Sequence, residues 1–116
     1  MGAAMFKTET EGNATIVTLT LDSFTHDDND ALMKSFDAML SEGHKRIVLD
    51  LSDTKYVSSL ILASFVYIQK KVMGAGGSLT FCSIPPRVQE ILSSTNLDKV
   101  FDIVANRQQA LEKLAK

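Results

Sequence analysis

The sequence predicts an α/β fold: a mixed five-stranded sheet, opened by an N-terminal hairpin and continued by alternating helix and strand, with about four helices. Three observations predict it. The spacing of the apolar residues switches repeatedly between about 2 and about 3.6. A Gly12-Asn13 turn parts two short alternating segments near the start, because Gly and Asn accept positive φ at little cost. The run Ile47-Val48-Leu49-Asp50-Leu51 is almost continuously apolar, as in a strand covered on both faces.

Met5 to Thr10 reads as the first strand and Ala14 to Leu21 as the second. In the latter, Val17, Leu19 and Leu21 share one face, with Ile16 among threonines on the other. Thr25-His26-Asp27-Asp28 has helix-starting chemistry, and its early carboxylates suit the positive end of the helix dipole. Leu32, Phe36, Met39 and Leu40 then define an amphipathic helix over 28–42, which Gly43 ends. After the strand at 47–51, a second helix is expected over Ser59–Met73. Its apolar positions Ile61, Leu62, Phe65, Val66, Ile68, Val72 and Met73 exceed a single stripe, so it is expected to be heavily buried. Gly74-Ala75-Gly76-Gly77 stops it and leads into a strand at Leu79–Cys82. Pro85-Pro86 suits the first turn of a third helix, where a missing N–H costs little, with Val88, Ile91 and Leu92 inward. Val100–Val104 is expected as the last strand. Asn106 caps a final helix, Gln109 reaches back, and Ala110, Leu111 and Leu114 face inward. Each strand–helix–strand unit after the hairpin implies a crossover and parallel pairing.

Composition bounds the function classes. The 116 residues fit a single domain over 1–116, and 45% hydrophobic with 22% charged residues excludes a disordered or fibrous chain. A net charge of −2 leaves no cationic excess for phosphates, so nucleic acid is not an expected partner. The longest mostly apolar stretch, Val57 to Ile68, falls short of the about 20 residues a spanning helix needs. The N-terminus has neither a basic nor a long apolar leader region, and Phe6 stands where a myristoylation signal wants Ser or Thr. One cysteine, Cys82, gives no intramolecular disulfide. A small, cytoplasmic, soluble domain is expected.

Tests for catalytic and metal chemistry return little. His26 and His44 lack partners at metal-ligand spacing and read as surface or capping residues. Asp27-Asp28-Asn29-Asp30 begins like a calcium loop, but Met33 falls where Gly is needed and Met39 where a bidentate Glu belongs. The glycines at 74, 76 and 77 follow a helix, whereas a phosphate cradle precedes one. Cys82, in a core strand, reads as an inert thiol. No nucleophile–base or paired-carboxylate constellation assembles, so an enzyme, a metal and a cofactor are not expected.

The junction Lys55-Tyr56-Val57-Ser58-Ser59-Leu60-Ile61-Leu62 stands apart, with two hydroxyls where a loop becomes a buried helix. Ser58 as an N-cap would contribute about 1 kcal/mol. A phosphorylation point is the other reading, because a dianion there would meet free amides and the positive dipole end. Ser58 and Ser59 are both candidates.

Taken in order, these segments resemble a STAS domain, the fold of bacterial anti-sigma factor antagonists, over nearly the whole chain. The resemblance rests on Ile47-Val48-Leu49-Asp50-Leu51-Ser52, on Tyr56-Val57-Ser58-Ser59, and on Gly76-Gly77-Ser78-Leu79. Leu21-Asp22-Ser23-Phe24-Thr25 is similar to the family's "L-D-x-x-T" segment. Ser94 to Ile103, with Gln109-Ala110-Leu111, looks like its "TGL-x-x-x-F-x-I … A-L" ending. The resemblance implies a non-catalytic regulatory domain. Its partner would be a protein, possible kinds being an anti-sigma factor or a serine kinase of histidine-kinase-like ATPase type. Contacts are expected from Asp22, Thr25, Tyr56, Ser58, Ser59, Leu60 and Ile61. An accessory subunit of a transporter or of a signalling scaffold is the alternative. In the antagonists the junction reads roughly Asp-Ser-Ser/Thr-Gly-Leu, with the hydroxyl before the glycine phosphorylated. Aligned without a gap, that hydroxyl falls on Leu60 and the glycine on Ile61, so the usual acceptor is absent here. Leu60 and Ile61 then either present apolar side chains to a partner, worth about 1.5–3 kcal/mol each when buried, or turn inward and widen the core.

Overall fold

A computed structural model of the chain describes residues 6–20, 26–54 and 57–114. In chain order its elements are β1 (Phe6–Glu11), β2 (Ala14–Leu19), α1 (His26–Ser41), β3 (Arg46–Asp50), α2 (Ser59–Gly74), β4 (Ser78–Cys82), α3 (Pro86–Ser94), β5 (Asp102–Val104) and α4 (Arg107–Leu114), with a short 3-10 turn at Leu97–Lys99. The expected alternation of strand and helix is therefore present, as are the five strands and four helices. The sheet order follows the chain order, β1-β2-β3-β4-β5. The hairpin pairs antiparallel; every later neighbour is reached through a crossover and pairs parallel.

Strand alternation divides the sheet's side chains between two cores of unequal size. Val17, Leu19, Ile47, Leu49, Leu79 and Phe81 pack with Leu32 and Phe36 of α1, Ile61, Phe65, Ile68 and Val72 of α2, and Val88 and Leu92 of α3. Phe65, Phe81 and Phe101 meet there, with ring centroids 4.5 to 6.4 Å apart. The buried apolar side chains of the opposite face are Ala14, Ile16, Val48 and Cys82, covered by Ala110 and Leu114 of α4. The expected separation of Val17 and Leu19 from Ile16 is what this division shows; Met5, Leu21 and Thr25 lie outside the described residues.

Local chemistry sets the boundaries. Gly43, at φ +90, ends α1 in a Schellman arrangement: its N–H donates to the Leu40 carbonyl (3.1 Å) and that of His44 to Met39 (2.9 Å). Pro86 opens α3. Asn106 Oδ1 accepts from Gln109 N (2.9 Å), while Gln109 Oε1 accepts from Ala105 N (3.0 Å), one residue ahead of the expected position. The last strand is shorter than expected. Asn96, at φ +62, starts the 3-10 turn, and Val100 and Phe101 both donate to the Leu97 carbonyl, 2.9 and 3.0 Å away. This coil swings the Phe101 ring into the aromatic cluster before pairing begins at Asp102.

Candidate functional site

The carboxyl ends of β2, β3 and β4 lie side by side, and the chain leaves β3 there to start α2. Two polar groups fix the described part of that loop. Asp50 Oδ1 accepts from the Ser52 N–H at 2.9 Å. Thr54 is fully buried; its hydroxyl donates to the Leu19 carbonyl at 3.1 Å and its N–H to the Leu51 carbonyl at 3.0 Å. The loop is thereby tied to β2 as well as to β3. Each bond matters because a buried polar group left unpaired would cost about 1–3 kcal/mol.

Ser58 then caps α2. Its backbone is extended (φ −119, ψ 172), and its Oγ accepts from Ile61 N at 3.3 Å while its carbonyl accepts from Leu62 N at 3.0 Å. The first turn of α2 contains no acidic side chain, so the positive end of the helix is not offset within the helix itself. Ser58 is half-buried and Ser59 exposed. Successive helical residues point about 100° apart, and this separates the next two. Leu60 stays half-buried at the surface, whereas Ile61 is fully buried in the main core. Of the two expected contact side chains, Ile61 thus takes the inward alternative, since a surface role would expose a side chain that closes the core. Asp22, Thr25 and Tyr56 lie outside the described residues.

Leu60 lines an open groove of about 400 Å³ between α1 and α2, together with Asn29, Met33, Ala63, Ser64 and Tyr67. Tyr67 is 52% exposed, among the few large apolar side chains so displayed. At the groove's floor, Ser64 is buried; its Oγ donates to the Leu60 carbonyl (2.8 Å) and meets the Asn29 side-chain amide, joining the two helices. At its far end Lys71 pairs with Asp37 and stands 5.3 Å from the Tyr67 ring centre. The hydrogen bond to Asp37 pushes the Lys71 ammonium above its ordinary pKa. Sequence reasoning did not single out Asn29, Met33 or Tyr67 for this surface. The signal was the excess apolar width of α2: Tyr67 lies seven residues after Leu60, on the same face.

The remaining candidates have quieter surroundings. Burial, and then the Asp50 carboxylate, push the Cys82 thiol above its ordinary pKa, which keeps it protonated. His44 Nδ1 lies 3.2 Å from Thr15 Oγ1, and His26 opens α1. Among the described residues, no cluster of three or more His, Cys, Asp or Glu side chains suits a metal, and no helix is long and apolar enough to cross a membrane.

Order of elements, parallel register and a capped serine junction together define a class. The sequence profile of the STAS domain matches residues 5–110, and the chain belongs to that family. Among its relatives, a Thermotoga neapolitana protein named as an anti-sigma factor antagonist is 38% identical over 79 residues, covering 68% of this chain and 70% of the relative. A Thermotoga maritima protein of the same designation is 34% identical over 79 residues, with the same coverage. A crystal structure from Thermotoga maritima, also named for an anti-sigma factor antagonist, superposes with a TM-score of 0.82 at 28% identity, covering 97% of this chain and 96% of that one.

Proposed function

We propose that this chain is a non-catalytic, protein-binding regulatory domain of the anti-sigma factor antagonist type, acting in the bacterial cytoplasm. It docks through the β3–α2 junction and the first turns of α2. Its partner is an anti-sigma factor or serine kinase built on a histidine-kinase-like ATPase domain. The observation that carries this reading is the apolar rim of Leu60 and Tyr67 on an open groove at the amino end of α2. The kinship with proteins named as antagonists supports the choice of partner.

In this reading Leu60 stands where the antagonists carry their phosphoacceptor, so contact at that point is made by an apolar side chain and not switched by phosphate. Affinity purification of the tagged chain from its source cells, with intact-mass analysis, tests both parts. An ATPase-type anti-sigma factor is expected in the eluate with the chain at its unmodified mass. Transporter or scaffold subunits in its place would transfer the fold to the alternative setting.

A second reading keeps phosphorylation and moves it to Ser59, the neighbour of the capping serine. Its favouring observation is exposure: Ser59 is open to solvent at the first position of α2, whereas the Ser58 hydroxyl is engaged as the cap. A phosphate there would face the unfilled positive end of the helix. Mass spectrometry of the peptide spanning residues 56–69 decides it, and an unmodified peptide under every growth condition rejects it.

A further inference from the structure

Among the described helices, α4 alone covers the second face of the sheet, with three apolar side chains and two ion-paired cations. The helix has eight residues, far below the about 12–15 at which an isolated helix holds in water. Its buried apolar anchors are Ala110 and Leu114, with Leu111 partly covered. The rest of the seam is ionic. Arg107 Nη1 lies 3.1 Å from Glu9 Oε2 on β1, and Nη2 lies 3.3 Å from Thr18 Oγ1 on β2. Its Nη2 and Nε donate to Asp50 Oδ2 on β3, at 3.0 and 3.3 Å. At the other end Lys113 pairs with Asp102 of β5, whose second oxygen accepts from Thr80 Oγ1 of β4 at 3.3 Å.

Asp50 joins this seam to the junction. Its side chain is 6% exposed; one oxygen takes the Arg107 guanidinium and the other holds the Ser52 N–H in the loop that leads to Ser58. A carboxylate so buried needs its counter-ion or water. We propose that α4 is a releasable strap, and that the Arg107–Asp50 pair couples its docking to the order of the β3–α2 junction. When α4 lifts, Asp50 turns to water and gives up Ser52, loosening the turn that follows β3. The regulatory meaning of this motion rests on the junction being the docking surface; the motion and its coupling do not.

Cys82 reports the opening, because this sole cysteine is fully buried in the cluster that α4 closes. The full chain is labelled with an excess of Ellman's reagent across urea concentrations below its unfolding transition, and amide exchange is followed in parallel. The expected result is labelling through an opening with much shallower urea dependence than global unfolding. Arg107→Ala is expected to speed labelling on the order of tenfold; it also speeds exchange at Ser52 while leaving the middle of α2 unchanged. Arg107→Lys keeps the charge without the fork and falls between. Should Arg107→Ala fail to fold, Arg107→Lys serves in its place and is expected to shift both readouts the same way, by less. Cys82 labelling that tracks global unfolding would overturn the strap. Faster labelling with unchanged Ser52 exchange would overturn the coupling. A failed partner capture would move neither readout.

Discussion

At the scale of single residues, Ser58 Oγ does the local work at the junction, holding Ile61 N at the mouth of α2. Ser58→Ala is expected to lower stability by about 1 kcal/mol, the usual worth of a lost N-cap. Ser59→Ala, on an exposed side chain with no cap to lose, should stay within about 0.5 kcal/mol. Urea denaturation of the two variants checks both, and equal losses would show that the cap is shared or displaced. The capping role of Ser58 was legible in the sequence, because a serine ahead of an apolar run is a common helix start. The division between Leu60 and Ile61 was not. A helix that is apolar on more than one stripe leaves open which neighbour faces inward, and packing against Phe65 and Ile68 in the same core closed that choice. Tyr67 and Asn29 stayed hidden for a related reason, since the groove they line exists only once α1 lies across α2.

At the scale of elements, the loop between α2 and β4 shows how one glycine can be required and its neighbour not. A Cβ on Gly77 would lie 2.4 Å from the Lys45 carbonyl oxygen, where β4 begins beside β3 and Ser78 N donates to that same oxygen at 2.7 Å. Gly77→Ala is therefore expected to cost about 1–3 kcal/mol, as overpacking against backbone does. Gly74 ends α2 with open space around its Cβ position and no positive φ, so Gly74→Ala is expected to stabilise by about 0.4–1 kcal/mol. Thermal melts of the pair measure opposite signs if the contact is as described. The limits of α2 and the start of α3 could be read from Ser58, the glycine run and Pro85-Pro86, since each acts through its own backbone. The start of β5 could not. A 3-10 turn and an extended strand spend the same apolar residues, and the choice between them was made by Phe65 and Phe81, which draw Phe101 out of the strand.

For the whole molecule, one sheet separates two faces of different character. The first is a broad apolar core under three helices; the second is a narrow seam of small apolar groups and ion pairs under α4. The parallel pairing after the hairpin followed from the alternation of elements, but the order of the strands and the ionic content of the second face did not. Arg107, Asp50 and Glu9 are far apart in the chain, and no local pattern pairs them. The proposed docking surface lies at the edge of the broad core, where Leu60 gives the groove its apolar rim beside the exposed Ser59. The proposed function requires a partner protein to close over this rim. It is tested most directly by titrating the captured anti-sigma partner with wild-type chain and with Leu60→Asp. An aspartate in the first turn of α2 suits the helix dipole, so the variant is expected to fold. Burial of one leucine is worth about 1.5–3 kcal/mol, so binding is predicted to weaken by about ten- to a hundredfold with the melting temperature little changed. Equal affinity for the two proteins would contradict a docking role for Leu60.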